Sequence, residues 1–418
     1  MRITHLLVVL APCLLCACIG GNKGTATNTV PPTPTVNTLA VVVDAGPVAA
    51  GGAINRLYVT VKVCVPGSTT CANVDHVLLD TGSWGLRLVR SVLTASGVTL
   101  APSTDAQSQT IEECATFAGG QTWGPVAPAD VTLAGEVASK VPVQVLDDTN
   151  TGAAPPASCS NNGSVHNQVT DLLANGILGV GVFAQDCGAA CVSPAPAANS
   201  NYYGCTAAGV CTAENIALAN QVTNPVALFA ADNNGVIVNL PNLQNANGDA
   251  TVAGEVIFGL GTQTDNALPT MGLTVLGADP TTGDFNTTFN GGTTALPALI
   301  DSGTDDYAFA DTDPNMASCT ATPPNNAAWV GYYCPIVAPQ SLSAVNTGVG
   351  ANNATNTVQF AIADPNSFVS TATAFINLGG GQGSTRFTWG MPFFYGRKIY
   401  IGIDKAMVGT LQGPFYAY

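Results

Sequence analysis

Two short Asp turns, set far apart in one chain, constrain the fold of this sequence more than any other feature. The first is Val77-Leu78-Leu79-Asp80-Thr81-Gly82-Ser83 and the second is Ala298-Leu299-Ile300-Asp301-Ser302-Gly303-Thr304. Each sets an apolar run before Asp, then a small hydroxyl residue, Gly and a second hydroxyl residue. The apolar run reads as a buried strand, and the Gly as the tight turn that ends it. A turn of this kind fixes a carboxylate at a strand end, with hydroxyls and backbone N–H groups close enough to bond it. A single Asp-Thr-Gly is weak evidence, because these are ordinary turn residues. Two copies with matching apolar leaders point to a functional pair left by an old duplication.

The turns resemble the catalytic loops of the pepsin-like aspartic proteases, two-lobed enzymes in which each lobe supplies one Asp. Other stretches extend the resemblance in the same order along the chain. Asn175-Gly176-Ile177-Leu178-Gly179-Val180-Gly181 is similar to the segment that threads beside the first catalytic loop. Gly254-Glu255-Val256-Ile257-Phe258-Gly259 is similar to the strand that closes the first lobe. Trp389-Gly390-Met391-Pro392-Phe393-Phe394 and Lys398 to Asp404 resemble the end of the second. More particularly, the chain looks like an uncharacterised branch of bacterial lipoproteins with this fold, the DUF3443-like proteins.

The resemblance implies a mainly β, two-lobed acid-protease fold with Asp80 and Asp301 as a catalytic dyad within hydrogen-bond reach. Thr81 and Ser302 would lock the two loops together, Ser83 and Thr304 would bond the outer carboxylate oxygens, and Gly82 and Gly303 would make the turns. Two facing carboxyls cannot both ionise easily, so they titrate as a pair and share one proton. The ionised member then acts as general base on a water, and the protonated member polarises the scissile carbonyl. That chemistry needs neither a metal nor a covalent intermediate.

The flap expected over the cleft falls at Thr116 to Gly124, and here the chain departs from the family. Arg87 stands where the family carries Trp, seven residues after the first Asp, and the flap has no Tyr to meet it. Phe117 and Trp123 are the aromatics available, with Gly119, Gly120 and Gly124 giving the hairpin mobility. Trp84 or Trp123 is expected to cover the dyad instead. Asp305 and Asp306, directly after the second turn, admit three readings: they raise the dyad pKa, they favour a basic substrate side chain, or they are solvated turn carboxylates.

With 418 residues the chain is long enough for two domains with their own cores. Only 9% of residues are charged and the net charge is −15, which argues against nucleic acid as a partner. Residues 1–18 read as a lipoprotein signal peptide, with Leu15-Cys16-Ala17-Cys18 similar to a lipobox and Cys18 as the lipidated residue. Residues 19–52 read as a flexible tether and lead-in strand, 53–262 as the N-terminal lobe and 263–418 as the C-terminal lobe. The basic prosegment usual in secreted members of the family is not expected, since the tether carries only Lys23. An outer-membrane anchor, an otherwise monomeric chain and a peptide or protein substrate held between the lobes complete this expectation.

The chain holds 13 cysteines, three of them (Cys13, Cys16, Cys18) in the leader, so an even number is left in the exported part. An even count in an exported protein points to disulfides. Short loops close most readily, which favours Cys64–Cys71, Cys187–Cys191, Cys205–Cys211 and Cys319–Cys334, with Cys114–Cys159 by elimination. Cys191–Cys205 with Cys187–Cys211 closes loops almost as small and stays open as the alternative. His76 and His166 are the only histidines past the leader, so neither a metal nor another cofactor is expected. His76 reads as a strand-face side chain.

Arg56 to Val63 alternates in period two as a half-buried strand does. Gln168 to Leu173, and Asn215 to Gln221 followed by Val226 to Phe229, read as short helices. Phe183 to Thr212 reads as a disulfide-pinned insertion, with surface elaboration its plainer role and substrate recognition the other. The leading functional expectation is a lipid-anchored envelope aspartic endopeptidase. The alternative is a non-catalytic binding or scaffolding lipoprotein on the same fold, because fold does not fix function. A polysaccharide hydrolase ranks third, since glycosidases do not require the Asp turn in duplicate.

Overall fold

The computed structural model describes residues 37–160, 163–269, 271–321, 327–381 and 385–418. The expected signal peptide, Cys18 and the tether as far as residue 36 lie outside the described residues. The architecture is mainly β, as expected, and the two Asp turns are carried by two different sheets. Most strands join one 15-stranded sheet, and a separate 7-stranded sheet carries the second Asp turn.

The strand Leu57–Cys64 buries its apolar positions and exposes Thr60 and Lys62, as its period-two pattern requires. It turns at Pro66-Gly67 and pairs antiparallel with Cys71–Asp80, with Cys64 directly opposite Cys71. The strand Gly176–Val180 then runs parallel to Cys71–Asp80, with Val77 opposite Gly176 and Asp80 opposite Gly179. Around the second turn the arrangement repeats. Ala295–Ile300 pairs in parallel with Phe387–Trp389, and Ile300 lies opposite Trp389. Each Asp therefore ends a buried strand whose parallel neighbour threads beneath the turn. Glycine is required at that neighbour's crossing point. A Cβ on Gly179 would stand 2.6 Å from the Trp84 nitrogen, and one on Gly390 2.0 Å from the Asp306 carbonyl oxygen.

The large sheet is closed by chain from both ends of the sequence. Thr38–Val43 pairs with Val252–Phe258, and Gly235–Asn239 pairs with Val252–Phe258 on one side and Lys398–Gly402 on the other. Its core is Val- and Leu-rich, including Val61, Leu79, Leu86, Val131 and Leu178, all essentially inaccessible. The smaller sheet buries an aromatic cluster instead, in which Phe309 stacks on Phe387 at 5.3 Å and Tyr307 meets Trp389 edge-on at 5.8 Å.

All five expected disulfides form, including Cys187–Cys191 and Cys205–Cys211, so the alternative pairing is not adopted. Helix is scarce, as expected, but its placement differs in detail. Val169–Leu172 is helical. The longer helix expected over Asn215 to Gln221 shrinks to one 3₁₀ turn, Leu218–Asn220, followed by another at Pro225–Leu228. Gln221 and Asn224 there are buried and bonded to backbone carbonyls, which holds the segment extended. His76 lies in the strand Cys71–Asp80, as expected, at φ 46° and with its ring nitrogens 3.3 Å from Asp44 and 3.1 Å from Asp75.

Candidate active site

Asp80 and Asp301 line one cleft, each packed against the other's turn. The two turns brace one another almost symmetrically. Thr81 Oγ1 donates to the Ile300 carbonyl at 2.8 Å and accepts from the Ser302 N–H at 3.0 Å. Ser302 Oγ donates to the Leu79 carbonyl at 2.6 Å and accepts from the Thr81 N–H at 3.1 Å. Both hydroxyls are buried, so these bonds are worth more than exposed ones and fix the spacing of the loops.

Each carboxylate is held in turn by its own loop. Asp80 accepts from the Gly82 N–H at 2.8 Å and from Ser83 Oγ at 2.5 Å. Asp301 accepts from the Gly303 N–H at 2.7 Å and from Thr304 Oγ1 at 2.7 Å. A Cβ on Gly82 would lie 2.5 Å from Asp301 Cγ, and one on Gly303 2.7 Å from Asp80 Oδ1. The glycines are therefore needed because each turn packs directly on the opposing carboxylate. All eight residues expected to build the dyad are brought together.

Burial, then the charge of Asp301, push the Asp80 carboxyl up to about 8, against the opposing pull of Ser83 and Gly82. A carboxyl held protonated beside a second one is the electrostatic signature of a shared proton.

The dyad lies in a cleft of about 640 Å³, walled by both turns and by the flap hairpin. The hairpin is made by Thr110–Phe117 and Gly120–Leu133, with Phe117 opposite Gly120 across the turn. Residues 115–122 line the same cleft as Asp80 and Asp301, as do Trp84, Asp305 and Asp306. Asp306 is buried, and burial with the neighbouring Asp305 raises it to about 8 in spite of Arg56, so it is not a freely solvated turn carboxylate. Asp305 accepts from Tyr332 Oη at 2.7 Å.

Trp123 does not cover the dyad. Its ring is 2% exposed, packs edge-on against Tyr203 at 5.5 Å beside the Cys114–Cys159 disulfide, and donates from Nε1 to the Ala153 carbonyl at 2.7 Å. Along the flap strand side chains alternate, and Trp123 falls on the face turned away from the cleft. Trp123→Ala should accordingly act on stability, costing about 3–5 kcal/mol in urea unfolding, with the Asp80 and Asp301 turns left in place. Trp84 does stand on the cleft wall, against Phe183 at 4.9 Å.

The insertion from Phe183 to Thr212 is part of the flap's support and not a surface elaboration. Its strand Tyr202–Cys205 pairs with Thr110–Glu113, adding a strand beside the flap. It also delivers Asp186 to Arg87, and Tyr202 to Asp186, both buried contacts. Sequence reasoning singled out Tyr202-Tyr203 but had no signal for the partners they would meet. Among the described residues no cluster of three His, Cys, Asp or Glu is arranged to hold a metal ion.

The chain belongs to the family described as "Protein of unknown function (DUF3443)", whose sequence profile matches residues 33–418. Among solved structures it is similar to the aspartic proteinase from Irpex lacteus, at 16% identity and a TM-score of 0.49, over 90% of this chain and 96% of that one. No curated protein matches it.

Proposed function

We propose that the protein is an aspartic-type endopeptidase in which Asp80 and Asp301 together activate a water against a peptide bond. The observation that carries this reading is the pair of juxtaposed carboxyls held by reciprocal hydroxyl braces. Burial and the like charge of its neighbour raise Asp80, so the pair holds one proton between them. The ionised member takes a proton as the water oxygen attacks the carbonyl carbon, while the proton of the other member bonds the carbonyl oxygen. Collapse of the tetrahedral adduct breaks the C–N bond, a proton passes to the leaving amine, and a carboxylate and an amine result.

In this reading residues 53–262 and 263–418 are the lobes that close on an extended peptide, and the chain works as a monomer. Five disulfides support an oxidising compartment. With the lipobox-like Leu15 to Cys18, they support a lipid anchor at Cys18 in the bacterial envelope, on the outer membrane. Among the described residues no helix is long and apolar enough to cross a membrane.

A second reading, a peptide-binding lipoprotein without turnover, is favoured by one feature, the apolar Phe117 where the related flap carries a hydroxyl. Incubation with denatured protein from pH 3 to 9, with and without pepstatin, separates the two. Protease action predicts pepstatin-sensitive cleavage that persists to near-neutral pH and fades as the pH rises past about 8, where Asp80 loses its proton. Pepstatin binding with no cleavage at any pH would select the second reading.

A further inference from the structure

Arg87 stands where the resemblance leads one to expect Trp, and the structure gives it unusual surroundings. Its guanidinium is 2% exposed and makes two ion pairs from one nitrogen, to Glu113 at 2.6 Å and to Asp186 at 3.1 Å. The other terminal nitrogen donates to the Trp84 carbonyl at 2.8 Å, beside the first Asp turn. Tyr202 Oη completes the cluster with a 2.5 Å bond to Asp186. Glu113 belongs to the flap strand itself, four residues before Phe117. The Phe117 ring lies over the guanidinium at 5.4 Å from its centroid, close to the flap turn.

A buried cation so placed bridges three pieces of chain: the first Asp turn, the stem of the flap and the insertion. The charge is desolvated and held in place by its carboxylates, and the aromatic face lies within cation–π reach of it. We propose that Arg87 is the positioning residue of the flap, clamping Phe117 down over the dyad by a cation–π contact in place of an aromatic hydrogen bond. The proposal rests on the protease reading above for its kinetic consequence, though the clamp itself does not.

The experiment is a Phe117 series in the full-length protein, since replacing Arg87 alone strands two buried carboxylates and threatens folding. Phe117→Leu keeps apolar bulk but removes the ring face, whereas Phe117→Tyr keeps the face. Loss of the clamp lowers the population of the closed flap, so KM and the pepstatin Kd should each rise by about three- to tenfold while kcat stays within about twofold. Hydrogen-exchange protection of the flap amides 118–121 should fall about tenfold. Phe117→Tyr should lie closer to wild type than Phe117→Leu in all of these, and Arg87→Lys, which keeps the cation but loses the fork, should fall between wild type and Phe117→Leu.

Equal behaviour of the Leu and Tyr variants, or a fall in kcat at unchanged KM, would overturn the proposal. If wild type neither cleaves peptides nor binds pepstatin, the protease reading fails. The exchange data then decide the clamp alone, with unchanged protection in Phe117→Leu counting against it.

Discussion

Replacing either dyad carboxyl, in Asp80→Asn or Asp301→Asn, should reduce peptide-bond cleavage by at least about 10⁴-fold. An amide can neither take the proton of the attacking water nor hand one to the leaving amine. In the proposed mechanism the two residues hold one proton between them and act as a unit. The double substitution should therefore cost no more than either single one, the non-additivity expected of such units.

Stability should move the other way in Asp80→Asn. Asp80 ionises near 3.8 in the unfolded chain and near 8 in the fold. Folding between those values takes up a proton, which is unfavourable by up to about 1.4 kcal/mol per pH unit. Asn does not titrate, so the variant should gain on wild type as the pH rises from 4 to 8. Below pH 4 the difference should vanish. Chemical denaturation at pH 4 and pH 7 measures it.

Lowering the pH from 8 to 5 should raise the unfolding midpoint of the wild-type protein, contrary to the habit of carboxylate-rich proteins. Burial raises Asp80, Glu112 and Asp306 to about 8 each, reinforced at Asp80 by Asp301 and at Asp306 by Asp305, and opposed at Glu112 by Arg90. A carboxyl whose pKa is raised by folding contributes stability that is complete below its unfolded value and lost as the pH climbs through the folded one. One such group alone would change stability by about 4 kcal/mol over those three pH units.

The opposing groups are those with lowered values. Asp147 is one: its burial is outweighed by the Gly152 and Thr151 N–H groups and Arg90. Its stabilisation is lost only as the pH falls below its unfolded value of 3.8, so the optimum should lie near pH 4 to 5. A thermal midpoint that falls steadily from pH 8 to pH 5 would contradict this balance.

Much of the site was legible in the sequence because its determinants are local. Leu78-Leu79 and Leu299-Ile300 specify buried strands, and each Asp-hydroxyl-Gly turn carries its own carboxylate partners within three residues. Gly176 to Val180 was legible as a threading segment through its resemblance to the family's segment beside the first Asp loop. The disulfides followed from loop closure because four of the five close loops of 4 to 15 residues.

What stayed hidden depends on partners distant in sequence. Nothing local to Asp186 or Tyr202 tells that they complete a charge cluster with Arg87, 99 residues from Asp186. Trp123 was misread because the family pattern fixed which segment forms the flap, but not which of its alternating faces meets the cleft. Likewise Lys398–Gly402 reads as a strand, while its pairing with Gly235–Asn239 is a long-range choice made by the assembled sheet.

The central claim, that Asp80 and Asp301 form one acid–base unit, is tested most directly by following the Asp80 carboxyl carbon through a pH titration by NMR. The account predicts a midpoint near 8 in wild type, moving downward in Asp301→Asn as the like charge is removed. A midpoint in the ordinary carboxylate range, unmoved by Asp301→Asn, would mean that the two carboxyls are independent and would contradict the account.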